Sequence, residues 1–133
     1  MSIMPVALAA TGAAAILNIW LGVRVGRTRV AEKVSIGDGG NLKLIARMRA
    51  QLNFAEYTPI VLILIALIEL AEGTRGWLWI VAALYILARI LHPFGMDGWM
   101  VGRTIGVAVT LLTLLGLGVY AALIPALHYG YFG

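Results

Sequence analysis

Four apolar runs follow one another in a chain of 133 residues, with one substantial polar stretch between them. The first is Ile3–Val23. The second begins near Ala46 and ends near Ala71. Trp77–Leu91 is the third, and the fourth is about Val101–Leu127. A run of about 20 apolar residues can cross a bilayer core of roughly 30 Å. The chain is 62% hydrophobic and only 12% charged, whereas a soluble domain is about half apolar and about a quarter charged. A domain this small has too much surface to hide such an excess from water. The expected fold is therefore all-α and integral to a membrane, in one domain. Short connections between four spans predict an antiparallel four-helix transmembrane bundle, over residues 3–25, 46–71, 76–94 and 101–127. The third run reaches full crossing length only if it continues past His92, and Pro93, Gly95 and Gly98 make its exit irregular. Pro59 interrupts the second run and permits a kink there. Met1–Met4 carries no positive side chain, and the first run exceeds the roughly 7–15 apolar residues of a signal peptide, so a retained span is expected.

The net charge of +4 does not point to nucleic acid, because the basic residues gather around loops and the aromatics sit at run ends. Nine of the ten basic residues flank the first and third loops: Arg24, Arg27, Arg29, Lys33, Lys43, Arg47 and Arg49, then Arg89 and Arg103. Only Arg75 lies at the opposite face. This bias predicts that loops one and three are cytoplasmic and both termini outside. Trp20 and Trp99 then mark the cytoplasmic interface, and Trp77, Trp79, Tyr129 and Tyr131 the other. Within the polar stretch Arg24–Ala46, the segment Ile36–Asn41 reads as a loop, and nothing there resembles a phosphate-cradling motif. The chain has no cysteine, so disulfides, thiolate metal sites and a cysteine nucleophile are excluded, and any thiol chemistry must use a substrate thiol. Two distant histidines make no metal site.

The second span opens unusually. Arg47–Pro59 reads R-M-R-A-Q-L-N-F-A-E-Y-T-P, so Arg49, Asn53 and Glu56 stand at the mouth of a segment that becomes apolar from Ile60. An ionised carboxylate or a bare amide in hydrocarbon costs several kcal/mol unless it has a partner or faces a wet cavity. On a helix, Arg49, Asn53, Glu56 and Ile60 fall on one stripe, polar near the surface and apolar deeper in. That describes the wall of a pocket for a ligand with a charged head and an apolar end. The predicted topology brings Arg24, Arg27, Gln51, Tyr57, Arg89, His92 and Arg103 to the same end. Such a rim suits a small anion bearing carboxylates, with Glu56 available for an amino group.

Structural readings stand beside these. Arg24, Arg29, Lys33, Lys43 and Arg47 are expected to be topology anchors that snorkel to headgroups. Asn18 is expected to make an interhelical hydrogen bond, Glu69 to reach the interface, Tyr85 to be a packing residue with a satisfied hydroxyl, and His128 to have no role. The structural alternative for Glu56 is a salt bridge to Arg49 or Arg89. Gly102, Gly106 and Thr110 form a small-residue face that lets helices approach closely.

The segment R-A-Q-L-N-F-A-E-Y-T-P, Arg49 to Pro59, resembles the signature of the MAPEG family, the membrane-associated proteins in eicosanoid and glutathione metabolism. The likeness extends more weakly over the whole chain: its size, its four spans, the basic first loop, Tyr85–Arg89, and an arginine at the start of the fourth span. It implies a left-handed four-helix bundle assembled as a homotrimer, with glutathione as co-substrate at the cytoplasmic end between subunits. By the same resemblance Arg49, Asn53, Glu56 and Tyr57 grip glutathione. Gln51, which points away from the Arg49 stripe, helps across a subunit boundary. Arg27, Arg89 and His92 match further binding positions. Arg103 matches the arginine that stabilises the glutathione thiolate, which then attacks a lipophilic electrophile dissolved in the membrane lipid. Some family members reduce lipid hydroperoxides with the same thiolate. No metal and no nucleic acid enter this scheme. Where catalytic members carry a tyrosine late in the third span this chain has His92, and a second tyrosine position aligns with Met96.

Three function classes follow: a membrane glutathione transferase, a non-enzymatic MAPEG-like protein that binds a lipid or thiol ligand, and a small multidrug transporter. The third fits least, because such transporters keep their membrane carboxylate in the first span. The compact chain points to a bacterial inner membrane or a comparable one.

Overall fold

The computed structural model describes residues 3–129, and the side chains of residues 3–127. The interfacial role expected of Tyr131 lies outside the described residues, as do the side chains of His128 and Tyr129. The protein is all-α, with four long helices: α1 (Pro5–Glu32), α2 (Leu42–Glu72), α3 (Gly76–Met96) and α4 (Met100–Tyr129). Each contains a stretch long and apolar enough to cross a membrane, which agrees with a four-helix membrane bundle. The helices outrun the apolar runs of the sequence. At 1.5 Å per residue the 28 residues of α1 span about 42 Å, more than the roughly 30 Å hydrocarbon core. The polar ends of α1 and α2 therefore stay helical outside the apolar zone and can carry a site there.

Local chemistry sets the helix ends. Pro5 opens α1, where its missing N–H costs nothing. Lys33 closes that helix in the left-handed region, and its N–H returns to the Arg29 and Val30 carbonyls. Asn41 caps α2, its Oδ1 accepting from the Leu44 N–H at 2.9 Å. Between them the loop turns through Gly37, Gly39 and Gly40, all at positive φ. Pro93 lies inside α3, which runs through it to Met96 and so gains the length that the apolar run alone lacks.

The expectation for Glu69 needs correction. It is 2% exposed and does not reach the interface. Its two carboxylate oxygens accept from the Val6 N–H at 3.0 Å and the Ala7 N–H at 2.9 Å, and Oε2 also accepts from the Thr74 hydroxyl at 2.9 Å. The first N–H groups of a helix have no intrahelical partner, and the helix dipole favours an anion beside them. Glu69 thus caps α1 from the end of α2.

The helices α2 and α3 form the centre: α2 packs on the other three helices, α3 likewise, and α1 and α4 make no contact with each other among the described residues. The main core joins Val6 and Ala10, Val61 and Ile65, Leu78 and Tyr85, and Leu117 and Ile124 across all four helices. Tyr85 is the packing residue expected, its hydroxyl 2.8 Å from Thr58 Oγ1. Close approach of α3 and α4 depends on glycine. A Cβ on Gly106 would come 2.7 Å from His92 Cβ, and one on Gly95 would come 2.0 Å from the Arg103 backbone nitrogen. Large apolar side chains such as Ile16, Ile19, Ile63, Leu112 and Leu115 face outward, as a lipid-facing surface requires.

Candidate functional site at the polar end of the bundle

The end of α1, the start of α2, the end of α3 and the start of α4 meet at one end of the protein. An ionic node ties them. Arg24 on α1 pairs with Asp97 in the α3–α4 turn, and Arg47 Nε on α2 lies 3.7 Å from the same carboxylate. Arg47 also donates to the Thr28 hydroxyl at 3.0 Å. The Arg24 guanidinium stands 5.2 Å from the Trp20 ring centroid and 5.5 Å from that of Phe94. Arg29 donates to the Gly37 carbonyl at 2.7 Å and so holds the first loop. Arg24, Arg29 and Arg47 are therefore spent on internal structure, a correction to the snorkelling expected of them. No sequence motif marks Asp97. The available signal was its isolation, for it is the one carboxylate after Glu72.

Beside this node lies a cleft of about 340 Å³. Its walls are Arg49, Leu52, Asn53 and Glu56 from α2, His92 and Met96 from α3, and Arg103 and Val107 from α4. Five of the sequence-predicted residues (Arg49, Asn53, Glu56, His92 and Arg103) thus line one cavity. Helical spacing accounts for the α2 wall, since residues 49, 53 and 56 recur at one face. Arg49, Glu56 and Arg103 are exposed there, and none of the three has an ion pair among the described residues. Glu56 therefore makes no salt bridge to Arg49 or Arg89. His92 is 1% exposed, and its Nδ1 is buried without a partner. The cleft accordingly presents two cations, one anion, an amide and an imidazole to whatever occupies it.

The remaining predicted residues sit elsewhere. Arg89 is buried beneath the cleft, donating to Asn53 Oδ1 at 2.7 Å and to the Thr110 hydroxyl at 3.1 Å. Gln51 faces a second cleft of about 540 Å³ on the other side of α2, together with Asn18, Arg29, Asp38 and Arg49. A Cβ added to Gly22 would lie 3.7 Å from Gln51 Nε2, which places the glutamine against α1. Asn18 is exposed and makes no interhelical hydrogen bond among the described residues, contrary to expectation. Tyr57 is half-buried and Arg27 exposed, and neither lines either cleft. A larger furrow, about 640 Å³, runs between α3 and α4 from Trp77 and Tyr120 to Leu91 and Ile105, and its lining carries no charged side chain. Among the described residues no group of three histidines, cysteines or carboxylates could hold a metal ion.

The MAPEG family model matches residues 7–123, nearly the whole chain. The chain belongs to the MAPEG family. This membership and the four long apolar helices together make it an integral membrane protein. Two curated relatives are similar to this MAPEG protein: the inner membrane protein YecN of Escherichia coli strain K12 and that of Escherichia coli O6:H1 strain CFT073. Each is 33% identical over 70 residues, which is 52% of this chain and 53% of the relative. The chain thus spans about half the length of the curated relatives it matches. No solved structure matches it.

Proposed function

We propose that this MAPEG protein is a membrane-bound glutathione transferase that activates the glutathione thiolate for attack on a lipophilic electrophile. The observation that carries the reading is the single cleft joining Arg49, Asn53 and Glu56 on α2, His92 on α3 and Arg103 on α4. Glutathione has two carboxylates, one ammonium group and one thiol. Two unpaired arginines and one unpaired carboxylate complement that charge pattern. A free thiol is mostly protonated at neutral pH. A fixed guanidinium such as Arg103 beside the sulfur, where water is scarce, favours the thiolate. The thiolate would displace a leaving group from the electrophile, or take the terminal oxygen of a lipid hydroperoxide, breaking the O–O bond, releasing the lipid alcohol and leaving a sulfenic acid that a second glutathione converts to the disulfide and water.

The same reading includes an antiparallel arrangement of the four helices and assembly as a homotrimer. Arg49 borders both clefts while Gln51 faces only the second. The motif residues therefore diverge to two sides of α2, and a neighbouring copy would let one ligand use both sets. The proposed setting is a bacterial inner membrane, with the polar end of the bundle cytoplasmic and both termini outside. The choice of membrane is supported by the one named for the relatives, and the orientation rests on the basic residues alone.

A second reading has its own support. His92 and Met96 stand in the cleft where catalytic family members are expected to carry tyrosines. A protein that binds the thiol ligand without activating it would fit those replacements. Kinetics separate the two. Arg49→Ala should raise KM for glutathione at least tenfold in a conjugation assay with a lipophilic electrophile, with a smaller change in kcat. Glutathione binding by calorimetry with no turnover in the unmodified protein, across a panel of lipophilic electrophiles and a lipid hydroperoxide, would favour the ligand-binding protein.

A further inference from the structure

Arg89 is the largest side chain that the bundle buries outright, at 1% exposed. It stands on a membrane-spanning helix and has no ion pair among the described residues. Its Nε and Nη2 are buried without partners. Burying an ion costs several kcal/mol, and a well-packed apolar side chain of similar volume commonly does as well or better. Its guanidinium stands 5.7 Å from the Phe54 ring centroid, a contact too weak to offset that cost alone, so packing does not by itself explain the arginine. Its hydrogen bonds do. Nη1 donates to Asn53 Oδ1 at 2.7 Å and to Thr110 Oγ1 at 3.1 Å, and the Thr110 hydroxyl donates in turn to the Gly106 carbonyl at 2.8 Å.

Arginine has N–H donors and no acceptor. The atom of Asn53 that meets it must therefore be the carbonyl oxygen, which settles the orientation of the amide on chemical grounds. Asn53 is also part of the cleft wall. With Oδ1 engaged from behind, the group left for the cleft is its NH2. We propose that Arg89 is a positioning residue that fixes the orientation of the Asn53 amide, so that its NH2 serves the cleft and favours a ligand carboxylate at that point over a group presenting N–H. This rests on the glutathione reading above and adds to it a determinant of specificity that lies outside the cleft. The neighbours reinforce the selection. Arg49 and Arg103 can only donate, and Glu56 is the one carboxylate in the wall. A carboxylate meets such a wall with two acceptor oxygens. A carboxamide meets it with one, and its NH2 must compete with the ligand ammonium group for Glu56.

The test uses the full chain in detergent and calorimetry with three probes: glutathione and its two monoamides, one at each carboxylate. The unmodified protein should favour glutathione over at least one monoamide by tenfold or more, about 1.4 kcal/mol. Arg89→Gln should shrink that ratio, because glutamine accepts as well as donates and frees Asn53 to turn. Asn53→Asp should weaken glutathione at least tenfold while its thermal midpoint stays at or above that of the unmodified protein, since the new carboxylate pairs with Arg89. Two results would overturn the proposal: Asn53→Asp binding glutathione as the unmodified protein does, or Arg89→Gln weakening all three probes by one factor, as a purely structural role would. Failure of the unmodified protein to bind glutathione would remove the function proposed above and this inference with it. Binding with an unselective ratio would remove this inference alone.

Discussion

Glu69 and Asp97 show what a single carboxylate does at either end of this bundle. Glu69 supplies two acceptors to the first N–H groups of α1 and takes a third bond from Thr74. Removing it leaves buried donors unsatisfied, at about 1–3 kcal/mol. Glu69→Ala should therefore lower the thermal midpoint clearly, while glutathione affinity, read at the opposite end of the bundle, stays within about twofold. An unchanged midpoint would deny the cap. Neither carboxylate's role was legible in the sequence. Glu69 looked interfacial because cross-helix capping depends on where the start of α1 meets the end of α2, and no local pattern encodes that. The stripe of Arg49, Asn53 and Glu56 was legible, because their spacing alone puts them on one helical face. The sequence places Arg89 only in the rim. Its position behind Asn53 depends on how α3 is rotated against α2, which its own sequence does not state.

At the scale of elements, the α3–α4 pair holds the site together. His92 and Met96 come from one helix, Arg103 and Val107 from the other, and two glycines set their separation. Gly106 was readable as part of a small-residue face with Thr110, and both now lie against α3: Gly106 touches His92, and Thr110 binds Arg89. Gly102 has its near neighbour in Trp99 of its own turn. In the sequence Gly95 marks only an irregular exit, yet α3 continues through it to Met96 and the start of α4 crosses directly over it. Gly95→Ala should cost at least about 1–3 kcal/mol, the usual range for overpacking, and should lower glutathione affinity by displacing Arg103. Gly12→Ala is the control. It has no atom within 4 Å of the new methyl group and should stabilise α1 by about 0.5–1 kcal/mol. Equal midpoints for the two variants would mean that α3 and α4 are not held at this distance.

For the whole molecule, hydropathy and the distribution of basic residues make the membrane fold and its charged end readable in the sequence. They could not divide that end into an internal ionic node and an open cleft. The division decides function. Arg24, Arg29 and Arg47 are consumed by Asp97, Thr28 and the first loop, whereas Arg49 and Arg103 remain unpaired in the cleft. A chain with seven basic residues from Arg24 to Arg49 thus keeps few of its cations for a ligand. Arg103 is the one placed at the start of α4 opposite the motif helix. The most direct test is ultraviolet difference absorbance of the purified protein with glutathione, run beside Arg103→Ala and with a non-thiol glutathione analogue as blank. The account predicts a saturable thiolate band that disappears in the variant while glutathione still binds. A protein that binds glutathione without any thiolate band, or a band that survives Arg103→Ala unchanged, would contradict it.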